Sequence, residues 1–436
     1  MPNRSRCLLL SLMVFAGTGR AAEPSGTLTL EQALAAVERV NLNVLLSREA
    51  VVQAVQQATI ARSAVLPIIN GSLQQRRSKA VPLTNTGATT QRPTNRFDAL
   101  LTGNYALVDP QRWSATRSAR VGAEVAQADY NAVVQTVLAS VAQSYFAHLR
   151  NLRRLEVVDA NIARARSLFD LARNQLNAGV ATQIDVTRAE AQLAQAEQAR
   201  LQQVTTDLQS ELLLKRAIDL PVAQPLQLED FPLKPSDGML MLFGDEKTTF
   251  EKRADYLRAQ KALEQARIDV RSATFERLPA LTLGSTYGRG AANFDDPKQP
   301  EWSVTGTLSV PIFDGLRAGA DRRVALARQR SQEARLHNLE LQISSELRFA
   351  AQDASSRNAQ VAVAQKNQRL AQDQLRLAQQ RYQNGVADNR EVVEAQTQLA
   401  VADDNLVEAV YQYNLSRVEL ARARGDVRGV LAEKGP

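Results

Sequence analysis

The chain has 436 residues, of which 44% are hydrophobic and only 5% aromatic, and it carries a formal net charge of +7. This length indicates two or three domains or one elongated architecture, and the hydrophobic share is sufficient for a packed core. Cys7 is the only cysteine, which excludes a disulfide framework and a cysteine-based metal site. The chain is crowded with Ala, Gln, Leu, Arg and Glu, a bias that indicates long helices.

Residues 1–21 are predicted to be a secretory signal peptide. Two arginines precede an apolar run over residues 8–16, and small residues follow, so cleavage is expected after Ala21 or Ala22. Cleavage removes three arginines and lowers the net charge from +7 to +4, which argues against nucleic-acid binding. Because Cys7 lies before the apolar run, it is expected to leave with the signal and to carry no lipid anchor. No later stretch is apolar for the 18 or so residues that a membrane-spanning helix needs.

Residues 22–220 are predicted to form a first structural repeat. Pro67 ends its first helix, and a polar loop rich in Thr, Asn, Gly and Pro separates two strand-like segments. A proline-free helix then spans about 100 Å at 1.5 Å per residue. Asn177-Ala-Gly179 predicts the end of that helix, and Thr182 is the expected N-cap of a returning one. The predicted elements are a helix over 30–64, strands over 66–75 and 96–108, a helix over 111–177 and a return helix to residue 218.

The same plan recurs in the second half of the chain. Gly179 aligns with Gly385, and Asp185 aligns with Glu391, at an offset of 206 residues. The Leu-Pro pair that opens the first strand also recurs at Leu278-Pro279. A proline-rich connector over 221–247 precedes this second repeat, 248–425, and residues 426–436 form a C-terminal tail. The predicted elements are a helix over 249–275, strands over 278–288 and 302–313, a helix over 316–383 and a return helix to residue 424.

The strands predict membrane-spanning β structure. Trp302, Val304, Gly306 and Leu308 alternate with Ser and Thr, and a strand of about ten residues with one apolar face is typical of a transmembrane β-barrel. A small soluble hairpin packed on the helices is the alternative for any one segment. Four strands leave unpaired edges in lipid, so closure requires several chains, and three chains supply 12 strands. The predicted fold class is mainly α with membrane β.

The order and spacing of these features resemble the TolC-like outer-membrane factors, the outer membrane efflux protein family. The features are the duplication, the Leu-Pro strand starts, the two Asn-containing Gly-Val tips, and Arg253-Ala-Asp-Tyr-Leu257, where the family usually has Pro for Ala. The resemblance implies a homotrimer with a 12-stranded barrel in the Gram-negative outer membrane and a helical tunnel in the periplasm. It implies a tripartite efflux or type I secretion system, with a periplasmic adaptor and an inner-membrane pump of RND, ABC or MFS type. The implied function is that of an exit duct without a cofactor or enzymatic activity.

The resemblance also implies two sites. Acidic residues are expected at the entrance constriction: Asp185, Glu391 and Glu394. An acid in a first helical turn also stabilises the helix dipole, and this alternative stays open. The family has a basic residue where this chain has Ala387, although Arg390 lies nearby. The expected adaptor contacts at the hairpin tips are Gly179, Val180, Ala181 and Thr182 in the first repeat, and Gly385, Val386, Ala387 and Asp388 in the second.

An exported coiled-coil adaptor or scaffold is the main competing prediction, since adaptors also contain long helical hairpins. Adaptors carry their β domains outside the hairpin, whereas here the strands recur inside each repeat. Enzyme functions find little support, because the sequence holds no nucleophile elbow, phosphate-binding loop or zinc-protease motif. His148 and His337 each stand alone in a long helix and are expected to be packing or surface residues.

Overall fold

The computed structural model describes residues 27–79, 93–230 and 246–432. The predicted signal peptide, most of the first strand-to-strand loop and part of the connector lie outside these residues. The helices are α1 Leu30–Val40, α2 Leu42–Ser63, α3 Pro110–Asn177, α4 Gln183–Ala217, α5 Glu246–Lys252, α6 Ala254–Phe275, α7 Arg317–Gln383, α8 Asn389–Ala423 and α9 Gly429–Ala432. The strands are β1 Ile68–Ser78, β2 Thr94–Val108, β3 Ala280–Ala291 and β4 Gln299–Ser309.

Two helices set the length of the molecule. α3 has 68 residues and α7 has 67, so each extends about 100 Å. Proline occurs in neither after Pro110, which occupies the first turn of α3, where its missing N–H costs no hydrogen bond. Asp109 caps this end by accepting a 3.0 Å hydrogen bond from the backbone N–H of Arg112.

The long helices form a single layer whose order changes along its length. Near the tips, α4 packs on α3, α3 on α8, and α8 on α7. Nearer the sheet, α2 packs on α3, α3 on α6, and α6 on α7. The outermost helices of this layer are therefore α4 and α7 at one end, and α2 and α7 at the other.

The four strands form one antiparallel sheet in the order β1-β2-β3-β4. Paired residues point to the same face, so the register sorts the side chains of all four strands. Leu101 pairs with Tyr287, and Tyr287 pairs with Trp302, on an apolar face. Thr102 pairs with Thr286, and Thr286 pairs with Ser303, on a polar face. The sheet is thus amphipathic, and among the described residues its edge strands β1 and β4 each have one neighbour only.

The predicted elements are present, with two helix breaks that the sequence analysis missed. The helix predicted over 30–64 is interrupted at Asn41, whose backbone is extended and whose Nδ2 donates to the carbonyl of Ala217 at 3.0 Å. The helix predicted over 249–275 is interrupted at Arg253, which is buried and contacts α7 and the end of α8. Both residues obtain tertiary hydrogen bonds that an uninterrupted helix would not give them.

The last strand is shorter than predicted. The prediction extended it to Phe313, but β4 ends at Ser309. Its partner strand explains the difference, because Ala280 pairs with Ser309 and the preceding Pro279 has no N–H to continue the ladder. The side chain of Ile312 is 96% exposed beyond this point.

A hydrophobic core at mid-length joins the two repeats. It contains residues of α1, α3 and the end of α8, and Tyr145 lies at its centre. The hydroxyl of Tyr145 donates to the carbonyls of Leu28 and Glu229, at 3.1 and 2.7 Å, and so fastens the start of the described chain to the connector. His148 is buried close by, with Nδ1 at 3.1 Å from Ser210 Oγ, and burial lowers its pKa. The histidine is therefore a packing residue, as predicted.

Candidate functional site: the hairpin tips

Each helical hairpin ends in a tight turn built around a glycine in the left-handed region. Gly179 has φ 73° and Gly385 has φ 70°, a conformation that L side chains rarely adopt. The amide of Gly179 donates to Leu176 at 2.9 Å, and that of Gly385 donates to Tyr382 at 3.0 Å. Both glycines thus satisfy carbonyls at the ends of α3 and α7, as helix C-terminal glycines do.

The turns present a valine at each tip. Val180 is 76% exposed and Val386 is 70% exposed, which is unusual for a large apolar side chain. The alanine that follows each valine is half-buried. The other residues predicted to contact an adaptor are exposed: Gly179, Thr182, Gly385 and Asp388.

Asp185 caps its own helix. One carboxylate oxygen, Oδ2, accepts from the backbone N–H of Thr182 at 3.0 Å and from its hydroxyl at 2.5 Å. Arg188 lies one turn further, with Nη1 at 3.5 Å from Oδ1. The hydrogen bonds from Thr182, followed by the charge of Arg188, lower the pKa of the Asp185 carboxyl. The helix-stabilising alternative therefore describes the geometry of this residue.

Glu391, which matches Asp185 in the second repeat, does not cap its helix with its side chain. Asp388 caps α8, since its carboxylate accepts the backbone N–H of Glu391 at 3.2 Å. The Glu391 carboxylate pairs instead with Arg381 on α7, at 3.1 Å. Glu394 lies one turn further on α8, is exposed, and makes no ion pair or side-chain hydrogen bond within the described residues. The two glutamates share one helix face at i, i+3 spacing, but only Glu391 is neutralised locally.

A shared core lies directly beneath the two tips. Val186 and Val392, which correspond in the two repeats, are both buried in one cluster with Ala172 and Leu375. Asn389 is 0% exposed, and its Nδ2 donates to the backbone carbonyl of Asp185 at 2.9 Å. The two hairpins of one chain are thus held together by apolar packing and by a buried hydrogen bond.

Tyr382 adds a polar group to this contact. Its ring belongs to the shared core, while its hydroxyl is buried without a hydrogen-bond partner in the described part of the chain. Burial, followed by the negative charge of Asp185, raises the pKa of this phenol. A buried, unpaired hydroxyl carries a desolvation penalty, so it marks a place where the packing is not at its optimum.

Three residues of this site were missed by the sequence analysis: Arg381, Tyr382 and Asn389. Arg381 precedes the tip and is the cation that pairs with Glu391. Asn389 could have been noticed in the sequence, because it is a polar residue directly after the N-cap of α8. Its burial in the core beneath the tips then requires a hydrogen-bond partner. For Arg381 the partner depends on how α7 and α8 meet across the turn, which periodicity does not encode.

Within the described part of the chain, helices with the length and hydropathy of a membrane span do not occur. Clusters of three or more His, Cys, Asp or Glu side chains suited to a metal ion are likewise absent from residues 27–79, 93–230 and 246–432.

Comparison with known proteins identifies the family. Residues 34–218 and 248–426 match the model of the outer membrane efflux protein family. The pyoverdine export outer membrane protein OpmQ of Pseudomonas putida is 26% identical over 391 residues, which cover 86% of this chain and 80% of OpmQ.

Solved structures share the fold. A membrane protein from Pseudomonas aeruginosa superposes with a TM-score of 0.83 at 22% identity, covering 91% of this chain and 93% of that one. The CmeC outer membrane channel of Campylobacter jejuni superposes with a TM-score of 0.81 at 19% identity, covering 93% and 89%. The predicted fold class is confirmed, and an exported adaptor or scaffold does not fit the family match. The chain belongs to the outer membrane efflux protein family and is an outer-membrane channel of the efflux and secretion type.

Proposed function

We propose that three copies of this chain close into one continuous duct, the exit channel of a tripartite efflux or type I secretion system. The observation that carries the proposal is the sheet with two open edges on a helical layer about 100 Å long. All of β4 and all but the last residue of β1 are exposed. Edge strands in lipid need partners for their backbone groups, and pairing β1 of one copy with β4 of the next gives a closed barrel of 12 strands.

The helical layer supports the same closure. Its outer helices near the tips carry exposed apolar side chains at helical spacing: Leu201, Val204 and Leu208 on α4, and Val363, Leu370 and Leu377 on α7. The α7 residues recur every seven positions, the spacing of a helix-packing seam. An interface that joins α4 of one copy to α7 of the next is head-to-tail and closes into a ring.

The tips are the proposed docking end for a periplasmic adaptor, which would link the duct to an inner-membrane pump. The exposed side chains of Val180 and Val386 support this assignment, since they lie at the end of the molecule farthest from the sheet. Their partner would be an apolar helical hairpin tip of the adaptor. The cargo and the pump class, RND, ABC or MFS, follow from that partner and not from the duct.

The entrance constriction is proposed at Glu391, Glu394 and Asp185. Three chains would bring nine carboxylates to one ring, and a ring of carboxylates attracts cations. The contacts rank their contributions: Glu394 is unpaired, Glu391 is paired with Arg381, and Asp185 is occupied by Thr182 and Arg188. Glu394 is therefore the principal carboxylate of the proposed constriction.

We further propose that the chain is exported through a cleaved signal peptide and carries no lipid anchor, with its sheet in the outer membrane and its helices in the periplasm. Two measurements test it together. The protein purified from outer membranes is expected to run as a heat-dissociable trimer and to form ion-conducting channels in planar lipid bilayers. A soluble periplasmic monomer without channel activity would overturn the proposal.

A further inference from the structure

The lipid-facing side of the sheet ends in a basic patch. We propose that this patch, Arg77, Arg289 and Lys298, binds the phosphate groups of the outer-leaflet glycolipid, lipopolysaccharide. The inference rests on the proposed membrane placement of the sheet, and it adds a ligand class and three binding residues to it.

The register places the two arginines on the apolar face. Arg77 follows Ile69 and Leu73 at four-residue steps along β1, so the three side chains share one side. Arg289 pairs with Ala99, which pairs with Leu73 on the same face. Both arginines lie toward the strand ends that are joined by the hairpin loops, at the end of the sheet away from the long helices.

Lys298 reaches the same side from the loop before β4. Phe97 lies on the apolar face, and Phe294 of the loop covers it edge-on with ring centroids 5.1 Å apart. Lys298 Nζ lies 5.6 Å from the first ring and 5.2 Å from the second, and donates to the carbonyl of Phe294 at 3.1 Å. These contacts hold the ammonium in place, so little conformational entropy is lost when it binds an anion.

The charges on the two faces differ. Arg96 lies on the polar face and is neutralised by Asp98 at 2.8 Å and by Glu301 at 2.9 Å. Both carboxylates alternate onto that polar face, whereas the strand positions of the apolar face hold no acidic residue. No ion pair within the described residues involves a member of the basic patch. Asp295 and Asp296 are the nearest acids in the loop, and Asp296 accepts from Asn293 at 2.9 Å.

The depth of the patch matches a lipid headgroup. Tyr287 and Trp302 are paired, 68% and 73% exposed, and lie one step below Arg289 on the apolar face. Exposed Tyr and Trp mark the boundary between hydrocarbon and headgroups. Two residues of strand are about 7 Å, and a headgroup layer is about 5–8 Å deep per leaflet. Arg289 and Lys298 therefore fall at the depth of headgroup phosphates. Arg77 lies further out, since its partner Asn95 is four residues along β2 from Ala99, the partner of Arg289. Unpaired cations in this region favour an anionic lipid.

The test is a titration of the purified trimer in detergent with bisphosphorylated lipid A, read by native mass spectrometry as bound lipid per trimer. Each cation near an anionic lipid contributes about fivefold in affinity, so R77Q/R289Q/K298Q is expected to bind about 100-fold more weakly. R77Q alone should lose about fivefold. R76Q is the matched control. It removes the same charge as R77Q, but Arg76 is exposed on the opposite face of the sheet.

Several outcomes would overturn the inference: equal binding by the triple variant and the wild type, equal losses in R76Q and R77Q, or equal binding of lipid A from which both phosphates have been removed. If millimolar inorganic phosphate displaces lipid A completely, the patch binds free anions, and this result would also overturn the inference. Heat-dissociable trimer and channel conductance are measured on the same samples. If the wild-type protein forms neither the trimer nor channels, the proposed function is refuted. If the triple variant forms normal channels and binds lipid A as the wild type does, only the lipid site is refuted.

Discussion

Asn389 Nδ2 of α8 donates a 2.9 Å hydrogen bond to the backbone carbonyl of Asp185 in α4, linking residues 204 positions apart at the end of the helical layer. This hydrogen bond joins the same two hairpins as the apolar cluster beneath the tips.

Removing the cross-hairpin hydrogen bond should loosen the entrance. Asn389→Ala deletes a contact worth about 1 kcal/mol and leaves the Asp185 carbonyl without this donor. We expect longer open times or higher conductance than wild type in planar bilayers. Asn384→Ala is the matched control, because Asn384 is exposed at the same tip. Identical traces for Asn389→Ala and wild type would show that this bond does not restrain the hairpins.

Cation selectivity should depend on both glutamates of α8. Glu394→Gln is expected to lower the K⁺/Cl⁻ permeability ratio because its exposed carboxylate is unpaired among the described residues, and Glu391→Gln is expected to lower it because the Arg381 cation then loses its partner. Arg381→Gln should raise the ratio, an effect of opposite sign in the same assay. Reversal potentials in a KCl gradient give the ratio. An unchanged ratio in the double variant Glu391→Ala/Glu394→Ala would remove these residues from the constriction.

Acid should release the cap of α4. The folded-state pKa of Asp185 is lowered, chiefly by the Thr182 hydrogen bonds, so the stabilisation is complete above the ordinary value of 3.8 and is lost as the pH falls through the lower, folded value. Amide hydrogen exchange of the folded protein, followed in a peptide that covers residues 178–188 and corrected for intrinsic rates, should accelerate below about pH 4. Asp185→Asn does not titrate and should show no such step, and an equal step in that variant would contradict the assignment.

Arg253 should be among the most sensitive positions of the fold. It is buried where α6 begins, and it contacts Asp255 at 2.7 Å and Glu346 of α7 at 2.9 Å, together with the carbonyl of Ala423. Removing one partner of a buried ion pair costs about 3–5 kcal/mol, so Arg253→Met should markedly lower the thermal unfolding temperature.

Arg258→Met provides the comparison for Arg253→Met. Arg258 lies on the same helix, but its ion pair with Asp129 is exposed, and such pairs contribute about 0–1 kcal/mol. Unfolding is followed by circular dichroism at 222 nm. Equal shifts in the two variants would show that burial of Arg253 does not set its contribution.

The sequence predicted what local patterns determine. Alternation located the four strands within a few residues, and proline-free, alanine-rich stretches located the long helices. The tip glycines were correctly expected to end α3 and α7, since a positive φ is a local requirement. The breaks at Asn41 and Arg253 escaped prediction because the hydrogen bonds that favour them come from residues more than 90 positions away.

In the candidate site, too, local patterns were predictable and contacts between distant residues were not. Asp185 and Glu391 correspond exactly in the repeat, yet one caps its helix and the other pairs across the turn with Arg381. In the second repeat Asp388 caps α8 through the backbone N–H of Glu391, and the Glu391 carboxylate contacts Arg381 of α7. A sequence repeat fixes corresponding positions, but which partner each side chain takes depends on the competing donors around it.

The core shared by Val186 and Val392 has a mechanical consequence. Because apolar side chains from both hairpins interdigitate in one cluster, neither tip of a chain can swing outward without exposing the other's packing surface. In the proposed threefold assembly the entrance would therefore have three independently moving parts instead of six. Widening of the aperture would then proceed by displacement of whole chains relative to each other, with the seams between copies as the sliding surfaces.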